Sequence, residues 1–202
     1  MHDESLGGSR LAAFSDGVFA VAITLLVLDL HVPRADQAES LGTLLRSEFG
    51  AYVVFFLSFA IVGIKWLNHH RMLARMRGAD TTLILLNLML LLGVTIVPFT
   101  TALLARYLRT PDAALASMLY GVVWTVNGLA YTLVLGYAQR QGFTMADGRS
   151  ASERRMLRFY ALGPIGYAIG AALSFVDVYS ALALYAVVVS AYIIPPPRTR
   201  RR

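Results

Sequence analysis

The first apolar segment constrains this chain more than any other feature. It reads Arg10-Leu-Ala-Ala-Phe-Ser-Asp-Gly-Val-Phe-Ala-Val-Ala-Ile-Thr-Leu-Leu-Val-Leu-Asp29. About 20 consecutive apolar residues are enough for a helix to cross a bilayer core of about 30 Å. Yet this segment opens on an arginine and carries Asp16 a turn and a half later. A carboxylate at that depth is costly unless it is paired, so an ionisable residue there marks a structural or functional site.

The rest of the chain is of the same kind. It has 202 residues, of which 57% are hydrophobic and only 15% charged, with a mean hydropathy of +0.60. Soluble domains run nearer a quarter charged. There is no cysteine, which excludes a disulfide framework, a thiol nucleophile and any thiolate metal centre. Residues 1–9 are polar and acidic rather than basic, so the first segment reads as a retained helix and not a cleaved leader.

Six segments are long enough to span, at about 11–30, 49–70, 82–105, 113–138, 157–175 and 178–194. The last two are the shortest and meet at Asp177, which predicts a tight helical hairpin. The expectation is an all-α membrane protein of six transmembrane helices, one domain over 1–194, followed by a basic tail at 195–202. Of the eighteen lysines and arginines, only Arg34, Arg46, Arg106 and Arg109 fall in one set of alternate loops. The others cluster at Arg10, at Lys65, Arg71, Arg75 and Arg77, at Arg140, Arg149, Arg154, Arg155 and Arg158, and in the tail at Arg198, Arg200, Arg201 and Arg202. The positive-inside rule then puts both termini in the cytoplasm, with the tail after Pro195-Pro196-Pro197 facing lipid headgroups. The net charge of +6 follows from this topology and not from a nucleic-acid surface, because no basic soluble domain exists.

On a helical wheel of about 100° per residue, Gly17, Val21, Thr24, Leu25 and Leu28 share one stripe, all within about 60° of Val21. Asp16 lies about 140° from Val21, toward neighbouring helices. Arg10 is six residues from Asp16, on another face, and does not pair with it within the helix. Trp66, Asn68, His69, His70 and Asn87 are the candidate partners, since indole, imidazole and amide N–H groups can satisfy a buried carboxylate. Asp16 is then either a polar clamp that sets the tilt of the first helix or a proton relay. No continuous chain of titratable groups is present, which favours the clamp.

Other polar residues suggest little chemistry. His69 and His70 diverge by about 100°, unlike the i, i+4 pair of a zinc helix. Lys65 is expected to snorkel at the inner end of the second helix. Arg71, Arg75 and Arg77 lack voltage-sensor spacing and read as interface anchors. Thr95 and Pro98 predict a kink in the third helix, and Gly163-Pro164 with Gly166-xxx-Gly170 predict close helix approach in the fifth. There is no internal repeat, phosphate loop, nucleophile elbow or paired-carboxylate site, so no enzyme, cofactor or metal is expected.

The run Arg10-xxx-Phe14-Ser15-Asp16 with the Gly-Val-Phe-Ala-Val-Ala-Ile-Thr-Leu-Leu-Val-Leu that follows resembles the signature of the endolysosomal-type transmembrane potassium channels, in their prokaryotic six-helix branch. Trp66-Leu-Asn-His69-His70 and Asn87…Pro98-Phe99 are further matches. The resemblance is strong over about the first half of the chain. It implies a potassium-over-sodium channel of the prokaryotic inner membrane, a homotetramer with four first helices around the pore and no Thr-Val-Gly-Tyr-Gly filter. It implies a constriction and gate at Val21, continued by Leu25 and Leu28, with selectivity at Thr24. It groups Arg10, Phe14, Ser15, Asp16, Trp66, His69, His70 and Asn87 in a polar network. Val21 is smaller than the isoleucine or leucine usual at that position, which implies a wider neck. Asp29, with Asp36, Glu39 and Glu48 after it, offers carboxylates at the outer mouth. The rival readings are a proton- or cation-coupled transporter using Asp16, and a membrane enzyme with a metal held by His69, His70 and Asp16.

Overall fold

The structure is a computed structural model that describes residues 2–33, 39–144 and 151–193. Arg34, Asp36, Arg149, the end of the sixth segment at Ile194, the three prolines and the tail arginines lie outside the described residues. Among the described residues the chain is helical throughout. Its elements are α1 (His2–Leu25), a 3₁₀ turn (Leu26–Asp29), α2 (Leu41–Ser47), α3 (Phe49–Leu73), α4 (Thr81–Tyr107), α5 (Ala113–Arg140), α6 (Ala151–Leu173) and α7 (Val178–Ser190). A single backbone bridge, Met76 with Thr144, and the Arg77 N–H donating to the Phe143 carbonyl at 2.7 Å tie two connections together at one end.

Five helices are long and apolar enough to cross a bilayer: Ser9–Asp29, Phe49–Leu73, Thr81–Tyr107, Ala113–Arg140 and Glu153–Leu173. The sixth predicted segment behaves differently. Its helix, α7, has 13 residues and so rises about 20 Å, short of the bilayer core. The apolar run continues past Ser190, but the backbone turns over Ala191–Ile193. The fifth segment begins earlier than predicted, so Arg154 and Arg155 lie on α6 itself, with Arg158.

α1 packs on α3 and α4, while α4, α5, α6 and α7 form the bulk of the bundle. The α6–α7 hairpin is close because α6 offers no side chain where α7 needs room. A Cβ at Gly166 would stand 2.6 Å from Val188, and one at Gly170 would overlap the Tyr185 ring. A Cβ on Gly128 of α5 would stand 2.8 Å from Pro164, so the proline ring of α6 seats there. Trp124, Tyr120, Tyr167 and Tyr185 fill this core. Most of its phenols find oxygen partners: Tyr185 donates to the Ser117 carbonyl at 3.1 Å, Tyr131 to the Asn68 carbonyl at 3.1 Å, and Tyr120 pairs with Ser58 at 3.0 Å. Apolar packing and satisfied hydroxyls together make this half a fixed frame.

Lys65 does not snorkel to the end of α3. Its ammonium lies 5.7 Å from the Tyr131 ring centroid and 6.0 Å from that of Trp124, because its position on α3 faces α5 rather than the helix end. Cation–π attraction offsets part of the cost of holding it there.

Helix starts are capped by side chains. Ser40 accepts from the Thr43 N–H, Asp80 from Leu83 at 2.8 Å and Asp177 from Ser180 at 2.7 Å. Asp80 also receives the Tyr137 hydroxyl of α5 at 2.6 Å. The Tyr137 hydroxyl and the Leu83 N–H hold the Asp80 carboxyl below the usual carboxylate range. A depressed pKa contributes stability that is present above the unfolded value and lost as pH falls through the folded one. Asp80→Ala should therefore melt at a lower temperature than wild type at neutral pH, with the gap closing as acid protonates the Asp80 carboxyl. Fluorescence-detected thermal unfolding checks this; a gap that persists in acid contradicts it.

Candidate functional site

α1 divides sharply into two faces. Leu11, Ser15, Phe19, Ala22 and Leu26 are buried against α3 and α4, at the spacing of one helical stripe. Gly17, Val21, Thr24, Leu25 and Leu28 are all exposed. Val21 is 58% and Leu28 74% exposed, values that leave most of each side chain without a partner in the protomer. Ile23 points elsewhere, with its Cδ1 3.9 Å from where a Gly63 Cβ would stand on α3. With Ala13, Phe14, Val18 and Thr95 of α4, this face borders an open groove of about 440 Å³.

The buried face is pinned by two sets of hydrogen bonds. In the first, Ser15 Oγ donates to the Leu11 carbonyl at 2.8 Å, Asn87 Nδ2 donates to Ser15 Oγ at 3.0 Å, and His69 Nε2 meets Asn87 Oδ1 at 2.8 Å. The direction is settled by the proton count. Ser15 has one proton and gives it to Leu11, so it accepts from the amide of Asn87; Asn87 then presents its oxygen to His69, whose Nε2 carries the proton. His69 Nδ1 is left buried without a partner, and the ring lies 5.3 Å from that of Phe19. In the second set, Trp66 Nε1 donates to Asp16 Oδ1 at 2.8 Å and His70 Nδ1 lies 3.3 Å from Asp16 Oδ2. Trp66 and His70 are four apart on α3, so both rings reach one carboxylate.

The structure thus divides the predicted network in two and leaves two members out. Phe14 is exposed on the groove side, and Arg10 is exposed near the start of the span. Neither reaches Asp16, since both sit on other faces of α1. Asn68, a candidate for Asp16, faces away from it. Asn68 Nδ2 donates to the Ile64 and Tyr192 carbonyls at 2.9 and 3.1 Å, and its Oδ1 accepts from Tyr160 at 2.9 Å. That tyrosine cluster was not read from the sequence; phenols inside apolar spans, which need an oxygen partner, were the available signal. Among the described residues no three His, Asp or Glu side chains form a metal-holding group. His69 and His70 go to separate partners.

Thr24 Oγ1 lies 3.0 Å from the Ala20 carbonyl and 2.9 Å from that of Val21. Its proton is thereby committed to the backbone, and its lone pairs remain as acceptors on the exposed stripe. One turn on, Leu26–Asp29 winds as 3₁₀. Asp29 does not stand in a purely acidic setting. It shares a cavity of about 550 Å³ with His31, Glu48, Arg106 and Arg109. Arg106 lies in the last turn of α4 and Arg109 just beyond it, far from Asp29 in the linear order, and the fold brings both back.

Comparison with known proteins follows the same half of the chain and then most of it. A profile of the family described as "Endosomal/lysosomal potassium channel TMEM175" matches residues 10–98. A Streptomyces collinus protein called a potassium channel is 38% identical over 178 residues, covering 87% of this chain and 86% of that one. The crystal structure of a lysosomal potassium-selective channel TMEM175 homolog from Chamaesiphon minutus superposes with a TM-score of 0.83 at 34% identity, covering 92% of this chain and 96% of the other. A Mus musculus protein called an endosomal/lysosomal proton channel is 33% identical over 157 residues, covering 68% of this chain and 32% of its own length.

The buried relay yields a test. Asn87→Ala removes the partner of both Ser15 and His69. It should destabilise the fold by about 1 kcal/mol, two interhelical hydrogen bonds at about 0.6 kcal/mol each in lipid, where the unfolded helices also find partners. Reversible unfolding in mixed micelles reads this directly, and an unchanged midpoint would show that the relay contributes nothing.

Proposed function

The chain belongs to the TMEM175 family, and from that premise we propose that it is a potassium-selective cation channel, passing potassium in preference to sodium. The reading assembles four copies in the membrane with α1 of each lining a central pore and both termini in the cytoplasm. One observation carries it: α1 is pinned to its own protomer on one face while the opposite face, from Gly17 to Leu28, is apolar, exposed and interrupted by a single hydroxyl. An apolar face also suits lipid; the Thr24 hydroxyl set in its middle and the groove of about 440 Å³ beside it are what support a pore lining.

Four Val21 side chains would form an apolar ring that excludes ions by dewetting when narrow and passes them when the helices part slightly. Leu25 and Leu28 would continue the wall. Four Thr24 oxygens, their protons held by the backbone, would supply weak ligands at the next turn. At such a site the smaller dehydration penalty of potassium favours it over sodium. Asp29 would attract cations at the outer end, opposed there by Arg106 and Arg109. Ser15, Asp16, Trp66, His69, His70 and Asn87 would hold the pore helix at its tilt.

A second reading is proton coupling or conduction through Asp16. The contact between Asp16 and His70, two titratable groups, favours it, as does the name of the mouse relative. Purified protein in a planar bilayer with potassium on one side and sodium on the other decides. Discrete openings that reverse near the potassium equilibrium potential support the channel; absence of current with coupled uptake into vesicles moves the function to Asp16. Val21→Ala should raise leak current and weaken discrimination, and unchanged conductance and selectivity would remove Val21 as the neck. Because opposite charges share its cavity, Asp29→Asn should change conductance less than Val21→Ala does. Asp16→Asn should reduce the assembled form on a sizing column; normal assembly with lost conduction would favour a direct role in permeation.

A further inference from the structure

Lys65 brings a full charge into the bundle and finds there only part of what an ammonium needs. It lies over the rings of Tyr131 and Trp124, with the centroids 5.7 and 6.0 Å away. Ring faces offset charge but accept hydrogen bonds weakly. Among the described residues no oxygen or nitrogen accepts a hydrogen bond from Lys65, and no carboxylate pairs with it.

α3 rests on α1 and α4 and meets α5 and α6 through side chains, so its junction with them is not fully filled. A cavity of about 30 Å³ lies there. It is bordered by Lys65 and Asn68 of α3, Tyr131 of α5, Tyr160 and Tyr167 of α6, and Tyr192 in the turn after α7. Its whole border falls within the described residues. That volume has room for about one or two water molecules.

The proton count leaves a donor on one side of the cavity and acceptors on the other. Tyr131 gives its proton to the Asn68 carbonyl at 3.1 Å, Tyr160 to Asn68 Oδ1 at 2.9 Å and Tyr192 to the Phe159 carbonyl at 3.0 Å. The Asn68 amide donates to the Ile64 and Tyr192 carbonyls. Each of these three phenol oxygens keeps a lone pair, and among these groups the unspent protons are those of Lys65. A water molecule resolves the mismatch, since it accepts from an ammonium and donates twice. Other small occupants fit less well. A metal cation would be repelled by the ammonium, and a halide would meet the negative faces of the aromatic rings.

We propose that this cavity is an internal hydration site, in which water accepts a hydrogen bond from the Lys65 ammonium and donates to the phenol oxygens of Tyr131 and Tyr160. The rest of the wall is mostly ring face and aliphatic side chain, so the site is wet because the lysine reaches it. An apolar cavity of that size stays dry. The water joins α3 to α5 and α6 at the level where Asn68 already ties them, and it does so within one protomer, whatever the assembly.

X-ray radiolysis of the full chain in lipid nanodiscs, read by mass spectrometry, tests the site, because radicals born from a bound water oxidise the side chains beside it. Tyr131 and Tyr167 are buried and border the cavity; Tyr120 and Tyr185 are also buried and do not. Tyr131 and Tyr167 should be oxidised at a rate approaching that of the exposed Tyr179, with Tyr120 and Tyr185 silent. Lys65→Met keeps a long side chain and removes the donor, and should bring Tyr131 and Tyr167 down to the Tyr120 level. Wild-type labelling of Tyr131 and Tyr167 no faster than that of Tyr120 overturns the proposal and needs no variant. Labelling that Lys65→Met leaves unchanged also overturns it, since the water would then not be held by the lysine. Thermal unfolding of the wild type in chloride against gluconate, at constant ionic strength, separates water from an anion. A midpoint indifferent to chloride supports water, and one that rises with chloride gives the cavity to an anion and overturns the proposal.

Discussion

The arrangement depends on what a polar group inside an apolar span must do, which is find a partner within the protein. Ser15 and Asp16 are neighbours on α1 and look in two directions, one into the Asn87–His69 relay and one to Trp66 and His70. Together they fix both the rotation and the depth of α1 on α3 and α4. Rotation by one residue would bury Asp16 against the apolar core and turn Ser15 away from Asn87. The exposed stripe is the other side of the same constraint: once the polar pairs choose which face is inward, Val21, Thr24, Leu25 and Leu28 have to face out.

The remainder of the bundle supplies the rigidity against which this anchoring works. Tyr120, Tyr131, Tyr160, Tyr185 and Tyr192 each carry a bonded hydroxyl, often to the backbone of a different helix. Bonds of that kind fix helices against sliding, which apolar packing alone does poorly, since lipid tails are as apolar as leucine. Pro164 seated against Gly128, and Gly166 and Gly170 open to α7, fix the spacing where hydrogen bonds are few.

Much of this was legible in the chain because the driving forces are one-dimensional. Apolar runs locate the spans, and a wheel drawn on α1 separates Val21 from Asp16 without any neighbour in view. The limits of that reading have equally physical causes. Five donors were available to Asp16, and choosing Trp66 with His70 needed the same wheel on α3, where those two share a face and Asn68 lies opposite. Lys65 was placed by its nearness to a helix end, whereas its angle sends it to Tyr131 and Trp124. α2 has seven residues, too few for a periodic signal, and is marked only by its Ser40 cap. The length of α7 was overread because apolarity persists through Ile193 while the helix does not. The arginines beside Asp29 come from the end of α4, which only the fold brings back to it.

The 3₁₀ turn that ends the first span has a mechanical consequence. A 3₁₀ residue rises about 2.0 Å and advances about 120°, against about 1.5 Å and 100° in an α-helix. Over Leu26–Asp29 the difference amounts to about 2 Å of length and about 80° of twist. Rewinding that one turn would shorten the helix and swing the side chain of Leu28 around its axis while the hydrogen bonds of Ser15 and Asp16, three turns below, stay as they are. The helix is thus a rod clamped at one end with a built-in screw thread at the other, adjustable without release.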